Sequence, residues 1–152
     1  MRDVQTLALT CLSAINGLEK RPDTLERYIS DAALRERILA TEAALPRSEL
    51  VCRITAAVSD TVVLVGHLRG RHRGDFLGVP ATHRMLDIPV VMVLGVEREK
   101  IARHWVWIDT TEAYAQMGAV RGRRAHDGAR LERPLAGGVA WLFCDAPAPF
   151  VN

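Results

Sequence analysis

Cysteine is scarce in this chain. Of 152 residues only Cys11, Cys52 and Cys144 carry a thiol. Far apart and odd in number, they suggest neither a disulfide framework nor a Cys-x-x-Cys metal site, so a reduced, cytoplasmic setting is expected. Long apolar runs are missing too. None approaches the roughly 18 residues that argue a membrane span, and Asp3 and Thr6 stand where a secretory leader would be basic and then apolar. Neither sign of charge is in excess. The formal net charge of +2 gives no strong pull toward nucleic acid or an anionic membrane. There is no Gly-rich phosphate loop, no Gly-x-Ser-x-Gly, no His-Glu-x-x-His and no acidic cluster. His72, His104 and Asp75 could in principle ligate a metal, but their spacing is not diagnostic, so no metal is expected. The remaining composition, 49% hydrophobic and 25% charged, suits one soluble domain around a single core.

The first forty-odd residues read as helices. Val4, Leu7, Ala8, Cys11, Leu12, Ile15 and Leu18 recur at spacings of three and four, an amphipathic stripe. Gly17 and Lys20-Arg-Pro22 end it. Asp23-Thr-Leu-Glu26 has the spacing of a capping box, opening a short helix that buries Leu25, Tyr28 and Ile29. A third helix is expected over Asp31 to Leu45, stopped before Pro46.

From Leu50 the period changes to two. One face collects Leu50, Cys52, Ile54, Ala56 and Val58, then Val62, Leu64, Gly66, Leu68, Gly70 and His72. It continues with Leu86, Ile88, Val90, Met92 and Leu94, and finally Ala102, His104, Val106 and Ile108. The other face is mixed, with Arg53, Thr55, His67, Arg69, Arg71, Asp87, Arg103, Trp105 and Trp107. A curved antiparallel sheet covered on one side by helices gives this alternation, which places the chain in the α+β class. Pro89 predicts that its strand is an edge or is bulged there. Asp109-Thr-Thr-Glu112 is a second capping box, and Gly118 is placed to stop its helix. Residues 1–120 form the expected domain. Residues 121–152 form an extension: an Arg- and Gly-rich loop, room for a further strand within Gly137 to Cys144, and an Ala146-Pro-Ala-Pro-Phe150 stretch that is extended or disordered.

Apart from Cys52, the apolar face of the strands carries two ionisable side chains, His72 and His104. A histidine in an apolar cavity is held neutral and can serve as a base or a hydrogen-bond donor; it can also be a satisfied core residue. Asp75 either orients a histidine or substrate hydroxyl or bonds its own turn. Asp109 is accounted for by capping. Trp105 and Trp107 suggest a dimer surface, with cover by the C-terminal tail as the alternative. The Arg69-Gly-Arg71-His-Arg73 cluster lacks aromatic interleaving and reads as a solvated edge rather than a nucleic-acid contact.

Gly70-Arg-His-Arg-Gly-Asp-Phe-Leu-Gly-Val-Pro-Ala-Thr82 resembles the Gly-x-His-x-Gly-(Glu/Asp)-Phe-x-Gly-x-Pro-Pro-Thr motif of the SnoaL-like polyketide cyclases, also called ester cyclases. The likeness continues through Glu99-Lys-Ile-Ala-Arg-His-Trp105, Trp107-x-Asp109 and Gln116-Met-Gly118, and covers about residues 3–120. In the founding cyclases an Asp stands where this chain has Val106, and a second pocket histidine where it has Met92. The resemblance implies the nuclear transport factor 2-like cone fold, a homodimer, and a deep apolar pocket for a hydrophobic polyketide-like ligand. The implied chemistry is an aldol-type ring closure, or an isomerisation, without metal or cofactor. With the face pattern, it makes His104 and His72 the candidate catalytic residues. Leu64, Leu68, Asp75, Val90, Met92, Val106 and Ile108 are the candidate substrate-binding residues. The alternative is an inactive relative that binds a small molecule or a partner.

Overall fold

The computed structural model describes residues 3–119 and 139–140. Helix α1 (Val4–Ile15) buries Val4, Leu7, Ala8, Cys11, Leu12 and Ile15, six of the seven stripe residues. Leu18 lies beyond the helix end and is 55% exposed. The helix stops because Asn16 turns extended and Gly17 takes φ +67°, a left-handed conformation natural to glycine. The Asn16 side chain then bonds strand backbone in both directions, donating to the Leu50 carbonyl and accepting from the Leu50 N–H, each at 2.9 Å.

Helix α2 (Pro22–Tyr28) begins two residues earlier than its expected capping box allows. Pro22 occupies the first helical position, where its missing N–H is harmless, so Arg21 becomes the cap residue and Asp23 sits in the first turn. Leu25 and Ile29 are buried, with Tyr28 half-buried. Helix α3 (Ala32–Ala44) is capped by Asp31, whose Oδ1 accepts from the Leu34 N–H at 3.1 Å.

Strands β1 (Glu49–Val58), β2 (Thr61–Arg71), β3 (Met85–Glu97), β4 (Lys100–Asp109) and β5 (Val139–Ala140) form one antiparallel sheet in chain order. Helix α4 (Thr110–Met117) follows β4. Asp109 caps it by accepting from the Glu112 N–H at 2.9 Å, and Gly118 ends it at φ +73°. The other half of the box does not form, because Glu112 Oε1 accepts from Gln116 instead. β5 falls within the strand expected over 137–144 and pairs Val139 and Ala140 with Asp109 and Ile108. The Arg-rich loop, the Pro-containing tail and Cys144 lie outside the described residues.

Two register shifts modify the alternation. In β1 the shift between Ile54 and Ala56 brings Ala57 inward, so Val58, expected inside, is 73% exposed. In β4, Gly95 opposes Arg103 but Val96 opposes Ile101. Ala102 is the extra residue, and Ile101, 3% exposed, takes the inward place expected of Ala102. β3 is an internal strand, yet Pro89 has a neighbour on one side only. It pairs with His67 of β2, and pairing with β4 begins at Val90. Gly66 is required by closeness. A Cβ there would lie 2.1 Å from the Val51 carbonyl oxygen, where β1 and β2 bend together.

The core lies between the concave face of the sheet and α1–α3. Val62, Leu64, Leu86, Ile88, Leu94 and Ile108 meet Ala8, Leu25, Ile29 and Leu45, all at most 2% exposed. Each large aliphatic side chain so buried contributes on the order of 1.5–3 kcal/mol. Among the described residues no helix is long and apolar enough to cross a membrane.

Candidate functional site: an apolar cavity beside a buried His–Asp pair

The helices do not fill the concave sheet completely. A cavity remains between Cys11, Leu12 and Ile15 of α1, Leu34 and Ile38 of α3, and Leu68, Val90, Met92, Leu94, Ile101, Val106 and Ile108 of the sheet. It offers about 100 Å³ to the centres of water-sized molecules, below the roughly 300–1,000 Å³ of sites for drug-sized ligands. Five of the expected binding residues, Leu68, Val90, Met92, Val106 and Ile108, line it. Val106 faces Met92 directly in register. Leu64 is fully buried but belongs to the solid core, and Asp75 is exposed on the loop after β2.

His104 stands next to this cavity, between wall residues. It opposes Leu94 in register and lies two residues from Val106, both of which line the space. Its Nδ1 is 2.7 Å from Asp31 Oδ2, and the two side chains are 7% and 18% exposed. Asp31 arrives there because the α2–α3 connection docks on the bulged start of β4. Ile29 makes a parallel bridge to Ile101, and the Ser30 N–H donates to the Ile101 carbonyl at 2.9 Å. Each Asp31 oxygen then has its own task. Oδ1 caps α3 and Oδ2 holds the imidazole. An ionised carboxylate can only accept, so Nδ1 carries a proton toward Asp31, and Nε2 is the ring nitrogen left to give or take one. Nε2 is buried and has no hydrogen-bond partner among the described residues. Burial opposes the charge on Asp31. The bonds from His104 and the Leu34 N–H, with the histidine's charge, outweigh it and hold this carboxyl below its ordinary value of 3.8.

His72 is fully buried but does not line the cavity. Its Nδ1 lies 2.9 Å from Thr82 Oγ1, its N–H donates to the Arg84 carbonyl, and its carbonyl accepts from the His83 N–H. It therefore clamps the two ends of the 73–83 loop, against whose Phe76 its ring packs edge-on at 6.4 Å. The motif around it serves that loop. A Cβ on Gly74 would fall 2.5 Å from the Ala43 carbonyl oxygen, and Leu77 and Gly78 turn at positive φ.

Two side chains with no role in the sequence reading come forward. Asp31 is one. The other is Lys20, read only as part of a helix stop, which lines the cavity with its side chain 6% exposed. Its Nζ donates to the Ser48 carbonyl at 2.5 Å and lies 3.3 Å from Glu42 Oε2. Burial pushes the Lys20 ammonium below its ordinary 10.5, while Glu42 and Glu49 pull in the opposite direction. Cys11, also in the wall, is pushed up to about 12 by burial and is a thiol at neutral pH. Among the described residues no three His, Cys, Asp or Glu side chains converge to hold a metal. On the convex face Trp105 and Trp107 are half-buried. Further along the sheet Asp87 bridges His67 at 2.6 Å and Arg69 at 3.0 Å.

A helix-backed curved sheet enclosing an apolar cavity defines the cone-shaped nuclear transport factor 2-like class. Residues 8–117 match the family of SnoaL-like polyketide cyclases, and the chain belongs to that family. Among solved structures, TsrD from Streptomyces laurentii is similar over 79% of this chain and 100% of its own, at 23% identity and a TM-score of 0.65. IdmH from Streptomyces antibioticus covers 77% of this chain and 99% of its own, at 21% identity and 0.61. A SnoaL-like polyketide cyclase from Agrobacterium tumefaciens covers 78% and 100%, at 17% identity and 0.64. These likenesses show the shared fold. No curated protein sequence matches the chain.

Proposed function

We propose that the protein is a cofactor-independent cyclase or isomerase of a small polyketide-like carbonyl compound, acting as a cytoplasmic homodimer. The family supports cyclase-type chemistry, and one observation carries the site assignment: the buried Asp31–His104 pair with a partnerless Nε2 beside the apolar cavity. In this reading Nε2 removes a proton from the carbon next to a ligand carbonyl, and Asp31 stabilises the imidazolium that forms. The resulting carbanion attacks a second carbonyl of the same molecule. A carbon–carbon bond closes the ring, and the Nε2 proton passes to the new alkoxide. Holding both carbonyls in one narrow space supplies much of the rate, since proximity alone is worth several kcal/mol in a ring closure. A volume of about 100 Å³ admits one ring or a short chain, so a polycyclic substrate would insert only its reacting end.

His104→Gln tests the assignment. With a synthetic β-polyketone ester, turnover should fall by roughly 10²-fold or more, with the fold retained. A variant that turns over at the wild-type rate would remove His104 from the chemistry. A second reading, a binding protein without turnover, is favoured by the apolar Met92 and Val106 beside the pair. It predicts no turnover in the wild type, and a loss of about 1 kcal/mol in ligand affinity for the same variant.

A further inference from the structure

The cavity wall holds a second reactive group, and its chemistry is not the histidine's. The chain meets its need for cations almost wholly with arginine, 18 against 2 lysines. Of the two lysines, Lys100 is at the surface, donating to the Glu26 carbonyl at 2.6 Å. Lys20 is the other, and it is buried in the wall of an apolar cavity. If only a positive charge were needed to tie α1 to the start of β1, arginine would serve and would offer more donors. Lysine differs in one chemical respect: its nitrogen can lose a proton and become a nucleophile.

The surroundings suit that role. Nζ has three protons when charged. The Ser48 carbonyl, at 2.5 Å, takes one, and Glu42 Oε2, at 3.3 Å, stands ready for a second. Glu42 Oε2 is itself buried and, apart from its ion pair with Lys20, has no hydrogen-bond partner among the described residues, which leaves it placed to move a proton to and from the amine. Desolvation of the ammonium favours the neutral form. An amine out of water beside an apolar space is an arrangement in which lysine attacks carbonyl carbon, with Glu42, which favours the charged amine, serving as the proton carrier.

We propose that Lys20 is a nucleophile that forms an imine with an aldehyde or ketone held in this cavity. The step balances without any further reagent. Neutral Nζ adds to the carbonyl carbon, forming a carbon–nitrogen bond. Glu42 carries both nitrogen protons to the oxygen in turn, the first onto the new alkoxide and the second as the hydroxyl departs. The carbon–oxygen bond breaks, and the oxygen leaves as water. The imine nitrogen, once protonated, draws electrons from the neighbouring carbon and makes its C–H acidic. The assignment rests on the cavity and on Lys20, Glu42 and Ser48, and not on His104.

Hexanal with cyanoborohydride near pH 7 reads this out on the intact protein. Reduction converts the imine to a stable secondary amine, and peptide mapping locates it. Lys20 should carry at least about ten times the label of Lys100 and of the N-terminal amine. The preference should vanish in guanidinium, and Glu42→Gln should slow the labelling several-fold. His104→Gln should leave it unchanged, so failure of the histidine assignment and failure of this one are told apart. Label favouring Lys100 or the N-terminus in the folded protein would overturn the proposal and leave Lys20 as a structural pin. Equal labelling of Glu42→Gln and wild type would overturn the role of Glu42. Because the decisive comparison is made on the wild type, it does not depend on whether a Lys20 variant folds.

Discussion

Asp31 joins helix stability to the histidine, because one carboxylate serves both. Its pKa lies lower in the folded chain than in the unfolded one, where it is near 3.9. The bonds to His104 and Leu34 therefore stabilise the fold fully above about pH 4. That stabilisation is lost as pH falls through the folded value. Asp31→Asn should lower the melting temperature at neutral pH, by the equivalent of about 1–2 kcal/mol for a weakened cap and a lost charged bond. It should also make the decline between pH 5 and pH 3 shallower than in the wild type. Parallel melting curves across that range would show that the carboxylate is not held by the histidine. None of this was readable from the residues in line. Ser30-Asp31 marked only a boundary between helices, and a bond between positions 73 apart leaves no local pattern. His104 itself was legible, because strand parity puts it on the apolar face. His72 shares that parity, but the strand ends just before it, and a loop clamp cannot be told from a pocket residue by period alone.

Elements with a strong period were read closely and their irregularities were not. The α1 stripe and the inward rows of β2 and β3 follow from spacing, since a slip of one residue would turn every side chain to the wrong face. The shifts at Ile54/Ala56 and Gly95/Val96 arise from pairing with a neighbouring strand, which one strand's sequence does not encode. The box at Asp23 lost to Pro22, whose fixed φ already suits the first helical position. Glycines separate in the same way. Gly66→Ala would drive a methyl group into β1 backbone, 2.1 Å from the Val51 oxygen and 2.6 Å from Cys52 Cα. It should destabilise by about 3 kcal/mol, near the upper end of the range for overpacking. Gly78→Ala meets nothing within 4 Å and only has to hold φ +76°, a penalty of ~1 kcal/mol. Thermal unfolding of the pair gives the comparison, and equal losses would mean that the sheet can yield at Gly66.

At the scale of the whole molecule, the proposed dimer uses the convex face. Val51 and Val91 are 47% and 37% exposed, and half-buried Trp107 lies in the same shallow hollow with Val65 and Pro89. Being already half-buried, Trp107 can give an interface only part of the roughly 150–250 Å² that a tryptophan buries, so the exposed valines beside it must supply more of the ~800 Å² that each partner gives to a standard interface. Trp107→Arg should convert a dimer into a monomer in sedimentation at tens of micromolar. A wild type already monomeric at that concentration would dispose of the pairing. The connection that lays Ile29 and Ser30 against Ile101 has a consequence in time as well as in space. Lys20 meets Ser48 and Glu42 within the first third of the chain, whereas His104 meets Asp31 only after the fourth strand has been laid down. During synthesis the lysine contacts need only the first third of the chain, whereas an oriented imidazole needs β4 as well. Local fraying of β4 from the α2–α3 connection would therefore release the imidazole while leaving the lysine contacts standing.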